Sequence, residues 1–180
     1  MAIYIALLRG INVSGQKLIK MAELKKHFVD ARASLVQTYI QSGNVVFHHS
    51  EKSSAKLRMV LEKHLAAKLG FAVPVLVKTD KELAAIAAAN PYELGLPEFG
   101  KRMYVCFFEK PPTATAIANI EPLTSVAERL VVKGPAGYVY YANGLGRAKL
   151  TSAVIERKLG MATLRNWNTV TALLEITGVS

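Results

Sequence analysis

At 180 residues and 51% hydrophobic side chains, the chain is long enough for one compact domain or two small subdomains and too apolar for disorder. Lys and Arg number 23 against 13 Asp and Glu, a formal charge of +10, which favours anionic partners such as nucleic acid or a phosphorylated small molecule without choosing between them. One cysteine excludes an internal disulfide framework, no apolar run reaches the ~18–20 residues that span a bilayer, and a cytoplasmic location is expected with no membrane partner.

The apolar run Ala2–Leu8 predicts a buried strand, and the absence of a basic leader and cleavage site argues against a signal peptide. The loop "RGINVSGQ" follows, and Met21, Leu24, Phe28 and Ala31 then recur at helical spacing. "LVQTYIQSGNVVFHH" alternates about Ser42-Gly43-Asn44 and predicts a hairpin. Ser53 or Ser54 caps the next helix, Leu57, Val60, Leu61, Leu65 and Leu69 stripe it, and Gly70 ends it. "VPVLV" is a short strand, placed at a sheet edge because Pro74 donates no hydrogen bond. Residues 2–77 therefore read β-α-β-β-α-β, the order of a ferredoxin-like unit.

"TDKE" at 79–82 is a capping box for an Ala-rich helix that stops at Asn90-Pro91. "RMYVCFF" begins a second series: a strand holding Cys106 as a buried small hydrophobe, a short helix at 113–119, strands around 126–133 and 137–142, and a helix at 151–159. Asn166 then caps a final helix that stands in place of a last strand. The expected fold class is α+β, with ferredoxin-like subdomains at 1–78 and 101–180 joined by a helix and loop at 79–100. The second subdomain is a βαββα repeat with an extra C-terminal helix.

Three stretches hold candidate ligand-binding residues. "NGLGRAKLT" lacks P-loop spacing, yet it joins a strand to a helix start. There Arg147 and Lys149 supply charge and Thr151 a cap, so the stretch reads either as an anion site or as an ordinary capped turn. "LLRGINVSGQK" leaves a strand end with Arg9 and Asn12 among its donors, and is not a dinucleotide fingerprint. In "TLRNWNTV", Thr163 and Asn166 compete as caps, Arg165 and Asn168 stand at the same helix start, and Trp167 reads as core. Histidines 27, 48, 49 and 64 are scattered and read as surface groups, so no metal is expected, and the motifs name no cofactor.

"ALLRGINVSG", "TYIQSGNVVF", "NGLGRAKLT" and "TLRNWNTV", in that order, resemble the bacterial domain-of-unknown-function family numbered 1697. The resemblance implies an α+β fold of two ferredoxin-like subdomains and brings no established activity, cofactor or catalytic residue. Ala148 stands where a serine is as often expected, which weakens any role for a hydroxyl there.

The leading functional expectation is an anion-binding protein, with nucleic acid favoured. Arg147, Lys149 and Thr151 would form one pole and Arg9 with Asn12 a second. An enzyme acting on a small phosphorylated or carboxylate metabolite is the rival, with Arg147 and Arg165 as clamp and Asn166 or Asn168 as polarising group. It lacks a recognisable general base. An adaptor or structural domain is the third reading. The residues leave the oligomeric state open.

Overall fold

The computed structural model describes residues 1–178 and is α+β, with two four-stranded antiparallel sheets and helices. The chain divides into two compact units, Met1–Ala84 together with the segment from Leu173, and Ala85–Ala172. Among the described residues no helix is long and apolar enough to cross a membrane.

The first unit runs β1 (Ala2–Leu8), α1 (Met21–Asp30), β2 (Ser34–Tyr39), β3 (Asn44–His49), α2 (Ser54–Leu69) and β4 (Val75–Thr79), with sheet order β2-β3-β1-β4. Tyr4, Ala6 and Leu8 of β1 join Val45, Phe47, Val75 and Val77 in a core closed by Leu24, Phe28, Leu57, Leu61 and Leu65 of the helices. Ile5 and Leu7, on the other face of the strand, are fully buried as well. Burial of both faces is why β1 reads as an unbroken apolar run and not an alternating one. Phe28 meets Phe47 edge-on at 5.1 Å, a geometry that contributes about 0.5–1.5 kcal/mol beyond buried area.

Local signals set the ends of these elements. Ser53 caps α2 by accepting from the Lys56 N–H, and Gly70 ends it at φ 76°. Pro74 precedes an edge strand, since β4 pairs with β1 alone. The capping box is reciprocal: Thr79 donates from its N–H and hydroxyl to Glu82, and the Glu82 N–H donates back to Thr79 Oγ1. It opens α3 (Asp80–Ala88). The surface expectation for the histidines fails at His27, which is 8% exposed between the helices.

The second unit contains α4 (Phe99–Arg102), β5 (Met103–Phe108), α5 (Ala114–Ile120), β6 (Glu128–Lys133), β7 (Ala136–Tyr141), α6 (Ser152–Leu159) and β8 (Ala162–Asn166), and α7 (Trp167–Thr177) begins within it. Its sheet order, β6-β7-β5-β8, repeats the connectivity of the first. The expected replacement of the last strand by a helix is therefore corrected: β8 is that strand, pairing Ala162 with Phe108 and Asn166 with Tyr104, and α7 follows it. The side chains of "ATLRN" alternate between its two faces, and both faces are largely covered. Ala162 and Leu164 join the core under α5 and α6, whereas Thr163 and Arg165 are buried on the opposite face.

That opposite face is covered by the end of α3 and the segment after it. Tyr138 donates its hydroxyl to Ile86 O at 2.6 Å, and Tyr140 to Pro97 O at 2.9 Å. The Arg129 guanidinium lies 5.0 Å from the Tyr140 ring centroid and 5.5 Å from that of Tyr92. Burial raises the Tyr92 phenol to about 12, against a smaller opposing pull from Arg129. On the helix side, Cys106 is fully buried, and burial first, Glu156 second, push its thiol well above the usual range.

Candidate functional site

The connection from β1 to α1 is closed by Asn12. Its Oδ1 accepts from the Ile19 N–H at 2.8 Å, and its Nδ2 donates to Ile19 O at 3.0 Å and Gln41 O at 2.8 Å. One amide thereby ties both ends of the loop together and fixes them to the neighbouring hairpin. Gly10, Asn12, Ser14, Gly15 and Lys17 all have positive φ, so the tip is tightly coiled. Lys17 reaches back to donate to Ala72 O at 2.9 Å. Arg9 is half-buried at the strand exit, where its N–H donates to Pro74 O at 2.9 Å.

The two N-terminal motifs meet at Gly43. Its carbonyl accepts from the Leu8 N–H at 2.8 Å, and its φ is 78°. A methyl group there would lie 2.6 Å from Ile11 Cδ1 and 2.9 Å from Leu8 Cβ. The position thus requires glycine on two counts, backbone conformation and space.

In the second unit, Leu145–Arg147 forms a single 3₁₀ turn ahead of α6. Thr151 caps α6, its Oγ1 accepting from the Val154 N–H at 3.3 Å. The N–H groups just before that cap hold an anion that belongs to the chain itself. Lys149 N donates to Glu128 Oε1 at 2.9 Å and Leu150 N to Glu128 Oε2 at 2.6 Å. Tyr141 donates its hydroxyl to Leu150 O at 2.8 Å, fixing the next peptide, between Leu150 and Thr151. The side chains of Arg147 and Lys149 remain exposed. Glu128 was not among the sequence-predicted residues: it is an isolated acid at the start of β6, and nothing local links it to a turn 21 residues on.

The third motif spans the end of β8 and the start of α7. Asn166 is the cap, its Oδ1 accepting from the Thr169 N–H at 2.9 Å and the Thr169 hydroxyl at 2.8 Å. Thr163, the competing cap, instead accepts from Arg165 Nη1 at 2.7 Å inside the strand. Arg165 also donates to Leu164 O at 2.9 Å, and burial lowers its pKa to about 10, so it is a buried cation at neutral pH. The Asn168 amide lies against Gly100, where an added Cβ would approach Asn168 Oδ1 to 1.8 Å. Trp167 meets Phe99 edge-on at 5.6 Å.

Arg9 and Asn12 belong to the first unit and the other six predicted residues to the second. There Arg147, Lys149 and Thr151 share the connection into α6, and Arg165, Asn166 and Asn168 share the β8–α7 junction. Among the described residues, three metal-ligating side chains converge at His27, Asp30 and His64, on α1 and α2, and at none of the three motifs.

Comparison with known proteins adds a family and a fold. The family described as "Protein of unknown function (DUF1697)" matches residues 1–138, ending before the second and third of these motifs. A solved structure of a conserved bacterial protein from Streptococcus pneumoniae is similar over 97% of this chain and 98% of its own, with a TM-score of 0.75 and 24% identity. No curated protein matches the chain. The chain belongs to the DUF1697 family of proteins of unknown function.

Proposed function

We propose that the protein is a cytoplasmic polyanion-binding protein, with nucleic acid as its ligand, built from ferredoxin-like subdomains at 1–78 and 101–180. The βαββαβ order and the repeated strand order support the ferredoxin-like reading. The observation that carries the binding reading is the placement of charge. Residues 1–80 hold 12 basic and 5 acidic side chains, a balance of +7 out of +10. Exposed Lys20, Lys25, Lys26, Lys56, Lys63 and Lys68 lie on or beside α1 and α2, the helical layer of the first unit.

Binding of this kind rests on mobile side chains meeting phosphates and not on a preformed cradle. Glu128 already occupies the N–H pair before α6, which leaves Arg147 and Lys149 as two further exposed charges. Arg9 adds a guanidinium at the β1 exit, while Asn12 and Thr151 shape the connections that carry these charges.

Fluorescence anisotropy with short DNA and RNA tests the proposal. Affinity is expected to fall steeply between about 50 and 200 mM salt, by ~10³-fold or more if six phosphates are contacted. Replacing Lys25, Lys26, Lys63 and Lys68 by Glu should weaken binding to every sequence and flatten that slope. Absence of binding to both nucleic acids at low salt would overturn the reading.

A further inference from the structure

His27 presents a problem that its own helix does not solve. It is 8% exposed, and neither ring nitrogen has a protein hydrogen-bond partner. Nε2 of His64, half-buried on α2, is buried without a partner too. Leaving a buried polar atom unsatisfied costs about 1–3 kcal/mol, so two imidazoles in this state at one helix–helix contact call for an explanation. The rings face each other edge-on, with centroids 6.0 Å apart and planes at 67°.

A carboxylate completes the cluster. Asp30 lies three residues after His27, on the same face of α1. One ligand atom from each of His27, Asp30 and His64 lies within 4.8 Å of the others. Glu23, one turn before His27, brings Oε1 to 3.6 Å from His27 Nε2, which is too long for a hydrogen bond.

We propose that His27, Asp30 and His64 bind a divalent transition-metal ion of the zinc class between α1 and α2. Two imidazole nitrogens and a carboxylate oxygen form a borderline donor set suited to zinc, nickel or cobalt, and poorly suited to magnesium or calcium, which take oxygen ligands. Ligand atoms on a tetrahedral ion with bonds of roughly 2.1 Å lie roughly 3.4 Å apart, so the three side chains would draw together on binding. Asp30 is exposed and gives the ion a route in from solvent. Bound there, the ion would satisfy one nitrogen of each imidazole and link the two helices of the first unit's core.

The competing account is a purely structural one, in which His27 pairs with Glu23 when protonated and His64 is solvated. Full-length protein stripped with chelator and titrated with zinc, nickel, magnesium or calcium chloride separates the two by calorimetry and thermal unfolding. Zinc is expected to bind one ion per chain and raise the melting temperature, while magnesium and calcium do neither. His64→Gln and Asp30→Asn, chosen because these side chains are less buried than His27, should each weaken zinc affinity by more than about tenfold. His48→Gln with His49→Gln should leave it unchanged. The proposal is overturned if zinc fails to bind at roughly 100 µM, or if the His64 and Asp30 variants bind it as the wild type does.

Discussion

Glu128 engages both carboxylate oxygens with the N–H groups of Lys149 and Leu150, at 2.9 and 2.6 Å. Hydrogen bonds to a charged partner contribute about 1.5–3 kcal/mol each at most sites, and a neutral amide cannot replace both acceptors. Glu128→Gln turns an NH₂ group toward one of the two N–H donors. It should lower unfolding stability by about 2 kcal/mol in urea titration, with an unchanged slope. A loss under about 0.5 kcal/mol would mean that water replaces the carboxylate freely. The same contact shows why turn chemistry alone misreads this stretch. Glycine, lysine and threonine announce a helix start able to hold an anion, but the anion's source lies on another strand. At Gly43 the local reading succeeds, since a turn glycine is legible from "SGN". The close packing of Ile11 and Leu8 against it needs the tertiary structure.

Elements follow the same division between local and distant causes. Asn166 joins β8 directly to α7, with no loop between, so its side chain alone separates extended from helical backbone. Asn166→Ala should cost about 1 kcal/mol, and Asn166→Ser or Asn166→Asp much less, measured by chemical denaturation. Equal losses in all three would place the role of Asn166 elsewhere than in capping. Hydrophobic period made β1, α1, α2 and the β2–β3 hairpin legible in the sequence, and single cap residues fixed their ends. β8 was not legible. Its five residues alternate, Ala162 and Leu164 against Thr163 and Arg165, but so short a run beside the cap residues of α7 is overshadowed by the helix-start signal. The cluster at His27 was obscured differently: residues 27 and 64 are 37 positions apart, and only the packing of α1 on α2 makes them neighbours.

Charge acts on the molecule as a whole. A formal +10, with +7 in the first 80 residues, makes the folded chain repel itself at low ionic strength. Raising salt from about 20 to 200 mM shortens the screening length from roughly 20 Å to under 10 Å. Stability should therefore rise by about 0.5–1 kcal/mol over the range in which nucleic-acid affinity falls. Opposite signs in two measurements on one protein distinguish screened self-repulsion from general salt damage. A stability that falls with salt would mean that surface ion pairs outweigh the repulsion.

Cys106 sits at the centre of β5, fully buried, with its thiol held protonated by its surroundings. Because it is the chain's one cysteine, the folded protein offers electrophiles almost no thiolate. A cysteine placed at exposed Ser14, at the tip of the β1–α1 loop, would then be the single reactive position on a native background. Maleimide dyes could report on that loop without the usual removal of endogenous cysteine, and modification of Cys106 itself would time the opening of the sheet.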